Sequence, residues 1–122
     1  MGEKRKFARL NLNVRVDWRK TDETVDVLGK FLDATRNISA GGLCLSLGEE
    51  LQVGDKLYLK MELPSKQIIS AKGQVVWVSQ FEVDDRGYKK MYNTGIKFIE
   101  IRDEDRQEIN EFVLASLPPK KE

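Results

Sequence analysis

The sequence predicts a small, mainly β domain: about six strands in a small antiparallel β-barrel, with an N-terminal arm before it and a C-terminal helix after it. Three observations carry this expectation. Apolar residues alternate with polar ones in several short runs, as in strands with one buried face. Gly, Pro, Asn and Asp gather between those runs, where the chain must reverse. Near the C-terminus the apolar spacing changes from two to that of a helix.

Residues 1–11 read as a basic arm, with Phe7 and Leu10 as the apolar residues able to tack it to the body. Leu12, Val14, Val16 and Trp18 alternate with Asn13, Arg15 and Asp17 and predict the first strand. Residues 20–24 form a polar loop. A second strand is expected over residues 30–35, running into a turn at residues 37–42. Leu43, Leu45 and Leu47 alternate in a third strand; Leu57, Leu59, Met61 and Leu63 alternate in a fourth. The run 68–78 reads as one long strand, with Gly73 marking a bulge or bend. Residues 84–87 are a polar hairpin tip. Residues 92–101 form the last strand, with Thr94, Ile96 and Phe98 on one face. Ile109, Phe112, Val113 and Leu117 then lie at helical spacing over about 103–117. Asp103 is the expected N-cap, and Glu104 and Asp105 suit the positive end of the helix. Pro118 and Pro119 end it, leaving 118–122 as a tail. The domain body is therefore 12–117.

A chain of 122 residues has the length of one domain and buries a modest core without disulfides. No apolar run approaches the ~20 residues of a spanning helix. No signal-peptide pattern opens the chain. The expected location is cytoplasmic, without membrane insertion. Cys44 is the only cysteine and there is no histidine, which removes an internal disulfide, the usual zinc sites and the commonest general base. Cys44 lies between Leu43 and Leu45 and reads as a packed residue. The expectation is a binding protein, not an enzyme, with no metal and no cofactor.

Net charge is +1, but it is unevenly spread. Residues 1–20 hold seven basic against two acidic side chains, a local +5; residues 100–111 hold six acidic against two basic, a local −4. The basic arm points to an anionic ligand. Near-neutrality overall argues against a duplex DNA binder.

Two clusters fit a guanine nucleotide with phosphates. The arm contains Arg5-Lys6-Phe7-Ala8-Arg9, an R-x-x-x-R pattern. The turn contains Asn37-Ile38-Ser39-Ala40-Gly41-Gly42, an N-x-S-x-x-G pattern. The guanidinium fork matches phosphate oxygens and the O6 and N7 acceptors of guanine, and its flat face stacks on bases. Asn and Ser hydrogen-bond base edges or phosphate oxygens, and Gly allows close backbone approach. In an extended arm, Arg5 and Arg9 point the same way; so do Asn37 and Ser39 if their segment is extended. Each pattern alone is weak, one being a solvated basic arm and the other a turn that satisfies its own backbone; the pair in a small β-rich chain is more specific.

In this order, the clusters resemble the PilZ domain family of bacterial cyclic di-GMP receptors. The likeness continues through Val75-Val76-Trp77 and Gly95-Ile96-Lys97-Phe98, and spans roughly residues 4–117. It sharpens the fold to a six-stranded antiparallel PilZ-type β-barrel. It implies that Arg5 and Arg9 bind the phosphates and guanines of cyclic di-GMP, and that Asn37 and Ser39 contact a guanine edge and a phosphate or the arm. Gly42 matches the motif's final Gly, Gly41 adds local freedom, and Lys4, just before the motif, bears on whether one or two ligand molecules bind. Arg36 and Gly95 complete the candidate ligand neighbours. Trp18 and Trp77, in alternating apolar strands, read as core.

The arm is expected to be flexible when free and to order on binding, exposing or hiding a surface for an unidentified protein partner. The family setting implies bacterial motility, surface attachment (biofilm) or exopolysaccharide control, with the chain a monomer or homodimer. Two rival readings are a nucleotide-independent PilZ-fold adaptor and a small barrel binding single-stranded nucleic acid.

Overall fold

The computed structural model describes residues 9–10, 14–21, 33–83 and 89–116. Lys4, Arg5 and the rest of the arm to residue 8 lie outside the described residues, as do the loop at 22–24, the hairpin tip at 84–87, and Leu117 with the tail.

Among the described residues, seven strands and one helix follow in order: β1 Arg9–Leu10, β2 Arg15–Lys20, β3 Asp33–Ser39, β4 Gly42–Leu47, β5 Lys56–Glu62, β6 Ile68–Glu82, β7 Lys90–Ile101 and α1 Asp103–Ser116. The alternation read from the sequence sets which side chains turn inward. Along β5, Leu57, Leu59 and Met61 are buried while Lys56, Tyr58 and Lys60 face solvent. Thr94, Ile96 and Phe98 of β7 are likewise all buried.

The strands form one antiparallel sheet in the order β1-β3-β2-β5-β6-β7-β4, and β4 pairs again with β3. The six longer strands thus curl round on themselves. Among the described residues, the β2–β3 seam includes the pairs Arg15 with Ala34 and Val16 with Asp33. The sheet is therefore strongly coiled. Inside it, Val16, Ile38, Leu45, Met61, Ile69 and Val75 pack in one core that Ile109 and Val113 of α1 complete. Burying such side chains contributes roughly 1.5–3 kcal/mol each relative to exposure. Phe112 packs on the same core, so the helix presents the face its spacing predicted. No helix among the described residues is long and apolar enough to cross a membrane.

Several boundaries move. The second expected strand, 30–35, begins in residues outside the described ones and runs on through Asp33–Ser39, so Asn37 to Ser39 are strand and not turn. The reason is Ile38, which is fully buried and holds this segment on the sheet. Only Ala40 and Gly41 reverse the chain between β3 and β4. The long strand reaches Glu82 rather than residue 78. The bend expected at Gly73 appears as a register shift between Lys72 and Gly73.

Candidate functional site

The two motifs meet in the sheet. β3 carries β4 on one edge. Its other edge is shared by β2 near its start and β1 near its end. Arg9 is the direct partner of Ser39, and Leu10 of Ile38. The last residue of the R-x-x-x-R pattern thus lies beside the serine of the N-x-S-x-x-G pattern.

A register shift between Thr35 and Asn37 leaves Arg36 as the extra residue opposite β4. Such a bulge resets the alternation. Beyond it Ile38 turns inward, while Asn37 and Ser39 are half-buried on the outer side. Three polar groups of the following turn are held. The Ser39 hydroxyl accepts the Gly41 N–H at 3.2 Å. The Phe98 N–H donates to the Gly41 carbonyl at 3.0 Å, and Arg106 Nη1 donates to the Ala40 carbonyl at 3.1 Å.

Gly42 opens β4 beside β7. A Cβ built there would sit closer than 3.0 Å to the backbone carbonyl oxygen of Ile96. The final Gly of the motif is thus required by strand packing, whatever else it does. Across β7, Gly95 is paired with Trp77 of β6, and Trp77 ring atoms occupy the space a Gly95 side chain would need.

These residues surround an open hollow of about 220 Å³. Of the candidate ligand residues, Asn37, Ser39, Gly41, Gly42 and Gly95 line it; Trp77 and Lys97 do so too. The hollow joins amide and hydroxyl groups, an indole and an ammonium on a glycine-lined floor. It suits a planar, anionic ligand. Larger hollows of about 290 and 550 Å³ lie around Tyr58. Neither contains a residue of the two motifs, so chemistry rather than size identifies the site.

The sequence reading put Trp77 in the core, and the structure corrects this. Val75 pairs with Ile96 and Trp77 with Gly95, so Val76 is an extra residue in β6. Strict alternation from buried Val75 would turn Trp77 inward. The bulge turns it out instead, and Trp77 is 44% exposed. Trp18, by contrast, does pack against the core. Lys97 was not singled out, although its position between inward-facing Ile96 and Phe98 marks it as outward. Among the described residues, no group of three or more His, Cys, Asp or Glu side chains could hold a metal ion.

Comparison with known proteins bears on the family and the fold. The family model of the PilZ domain matches residues 3–115. The fold is similar to that of the Bacillus subtilis inhibitor of motility MotI/DgrA, with TM-score 0.71 and 23% identity over 93% of this chain. The match covers 50% of that protein, so this chain spans about half its length. The fold is also similar to the PilZ domain with c-di-GMP of YcgR from Escherichia coli. There the TM-score is 0.65 and the identity 13%, over 93% of this chain and 91% of that one. No curated protein matches. With the family model extending over residues 3–115, and Arg9, the last residue of one motif, paired with Ser39 of the other, the chain belongs to the PilZ domain family.

Proposed function

We propose that this chain is a receptor for cyclic di-GMP that works by changing the conformation of its arm, not by catalysis. The observation that carries the reading is the pairing of Arg9, the last residue of one motif, with Ser39 of the other. An extended chain covers at most about 3.6 Å per residue, so Arg5 is held within roughly 15 Å of Arg9. Both guanidinium groups then reach a ligand seated on Asn37, Ser39 and the glycine turn. Trp77 offers a base an exposed π-face, worth about 1–3 kcal/mol where bases stack on aromatic side chains. Lys97 adds a cation beside the phosphates.

The signal passes to a protein partner in motility, attachment or exopolysaccharide control. The likeness to a protein described as an inhibitor of motility supports the first of these. Isothermal titration with cyclic di-GMP, using GTP and cyclic di-AMP as controls, tests the reading. Saturable heat with cyclic di-GMP alone is expected, and its stoichiometry gives one ligand molecule or two. Arg5→Ala and Arg9→Ala should each abolish that heat while leaving the melting temperature unchanged. Wild-type binding by either variant would remove the arm from the site.

A further inference from the structure

We infer that Arg106, in the first turns of α1, is a positioning residue for the ligand-binding turn; the inference rests on the receptor reading above. Three observations converge on it. The Ala40 carbonyl belongs to a fully buried residue, and a buried carbonyl needs a partner. Arg106 Nη1 donates to it at 3.1 Å across 66 positions of sequence.

The turn also has an unfavoured geometry. Two-residue hairpin turns prefer types that need positive φ. Among the described residues, positive φ is recorded at Lys66 and Gly54, not at Ala40 or Gly41. The turn therefore depends on bonds from its surroundings. Ser39 supplies one from β3 and Phe98 one from β7. Arg106 supplies the one that comes from outside the sheet.

Lastly, Arg106 is misplaced for the helix itself. A cation near a helix N-terminus opposes the macrodipole, and the rest of this first turn, Asp103, Glu104 and Asp105, is acidic as that rule prefers. Its contact with the turn gives the arginine a reason to be there. By fixing the Ala40–Gly41 peptide it holds Ser39 and Gly41 in the shape that lines the hollow.

The test compares Arg106→Gln, Arg106→Lys and Val113→Ala with wild type. Val113 is a fully buried helix residue, so its truncation loosens α1 without touching the turn. Two readouts are taken: cyclic di-GMP affinity by titration, and backbone amide resonances of the ligand-free proteins. Arg106→Gln should weaken binding about tenfold, the scale of one charge-assisted hydrogen bond. It should also move the Gly41 and Phe98 amide signals before ligand is added. Arg106→Lys should recover part of the affinity by restoring a charged donor. Val113→Ala should lower the melting temperature with little change in affinity.

Equal affinity in wild type and Arg106→Gln would overturn the inference. So would an equal loss in Val113→Ala, which would mean that Arg106 acts only through helix stability. If wild type itself fails to bind, the receptor reading falls. The amide signals of Arg106→Gln and Arg106→Lys still decide the turn: unmoved Gly41 and Phe98 signals in both would overturn its positioning by Arg106.

Discussion

The Trp77 indole covers the Cα of Gly95. A Cβ built on Gly95 would come closer than 3.0 Å to three atoms of that ring. The two residues are also ladder partners between β6 and β7. Gly95 is thus the floor on which Trp77 rests, and the absence of a side chain there is what lets the ring lie down. Because Trp77 is 44% exposed, the ring has room to swing away.

Gly95→Ala should therefore displace the ring and leave the backbone in place. The expected cost is about 1 kcal/mol, at the low end for overpacking. Tryptophan emission should shift as the ring leaves its seat, and cyclic di-GMP affinity should fall with it. Urea unfolding followed by fluorescence reads both stability and emission. A loss of several kcal/mol with unchanged emission would mean that the strand had moved instead of the ring.

Gly42→Ala should behave differently, although it is the same substitution. Its new methyl group meets the backbone oxygen of Ile96, which belongs to the β4–β7 ladder and has nowhere to go. The expected destabilisation is about 3 kcal/mol, well above that of Gly95→Ala. Unfolding midpoints measured side by side check the order. A tolerant Gly42→Ala would show that β4 and β7 can separate, and that the motif glycine answers to the ligand alone.

How legible this site was depends on the local backbone. Strands with strict alternation, such as β5, could be read directly, because period two assigns each side chain to a face. So could the inward face of α1, since Ile109 and Val113 repeat at helical spacing. Bulges broke the rule. One extra residue at Val76 turned Trp77 from core to surface, and nothing in Val75-Val76-Trp77 announces it. The extra residue at Arg36 did the same for the segment read as a turn, where buried Ile38 demanded a strand. The Arg106–Ala40 bond was not legible at all, because it joins positions 66 apart. Residue types pointed to a guanine nucleotide and the family resemblance to cyclic di-GMP; only the fold could show that Arg9 and Ser39 are neighbours.

Ser39 has a measurable structural duty besides any contact with ligand. Its hydroxyl accepts the Gly41 N–H at 3.2 Å. Ser39→Ala removes that acceptor and should cost about 1 kcal/mol, the usual net value of one hydrogen bond. Ser39→Thr keeps the hydroxyl and should cost less. Hydrogen exchange at the Gly41 amide separates the cases: it should quicken in Ser39→Ala and stay near wild type in Ser39→Thr. Unchanged exchange in both would assign the holding of the turn to Arg106 and Phe98.

Among the described residues that line the hollow, Lys97 carries the only full charge. It is exposed, so its attraction for a phosphate is screened by water and salt. Exposed pairs of this kind are worth about 0.2–1 kcal/mol, which converts to a loss of up to roughly fivefold in affinity on Lys97→Ala. The effect should be largest at low ionic strength and shrink as salt is raised, because screening removes the same term in wild type. Lys72→Ala is the matched control. Lys72 lies at the Tyr58 hollow and pairs with Glu100 at 3.8 Å, away from the motifs, and its loss should leave affinity unchanged. Titrations of both variants with cyclic di-GMP at two salt concentrations decide the matter. Equal losses from the two lysines would mean that the ligand responds to the general charge of the domain, and that Lys97 has no place of its own in the site.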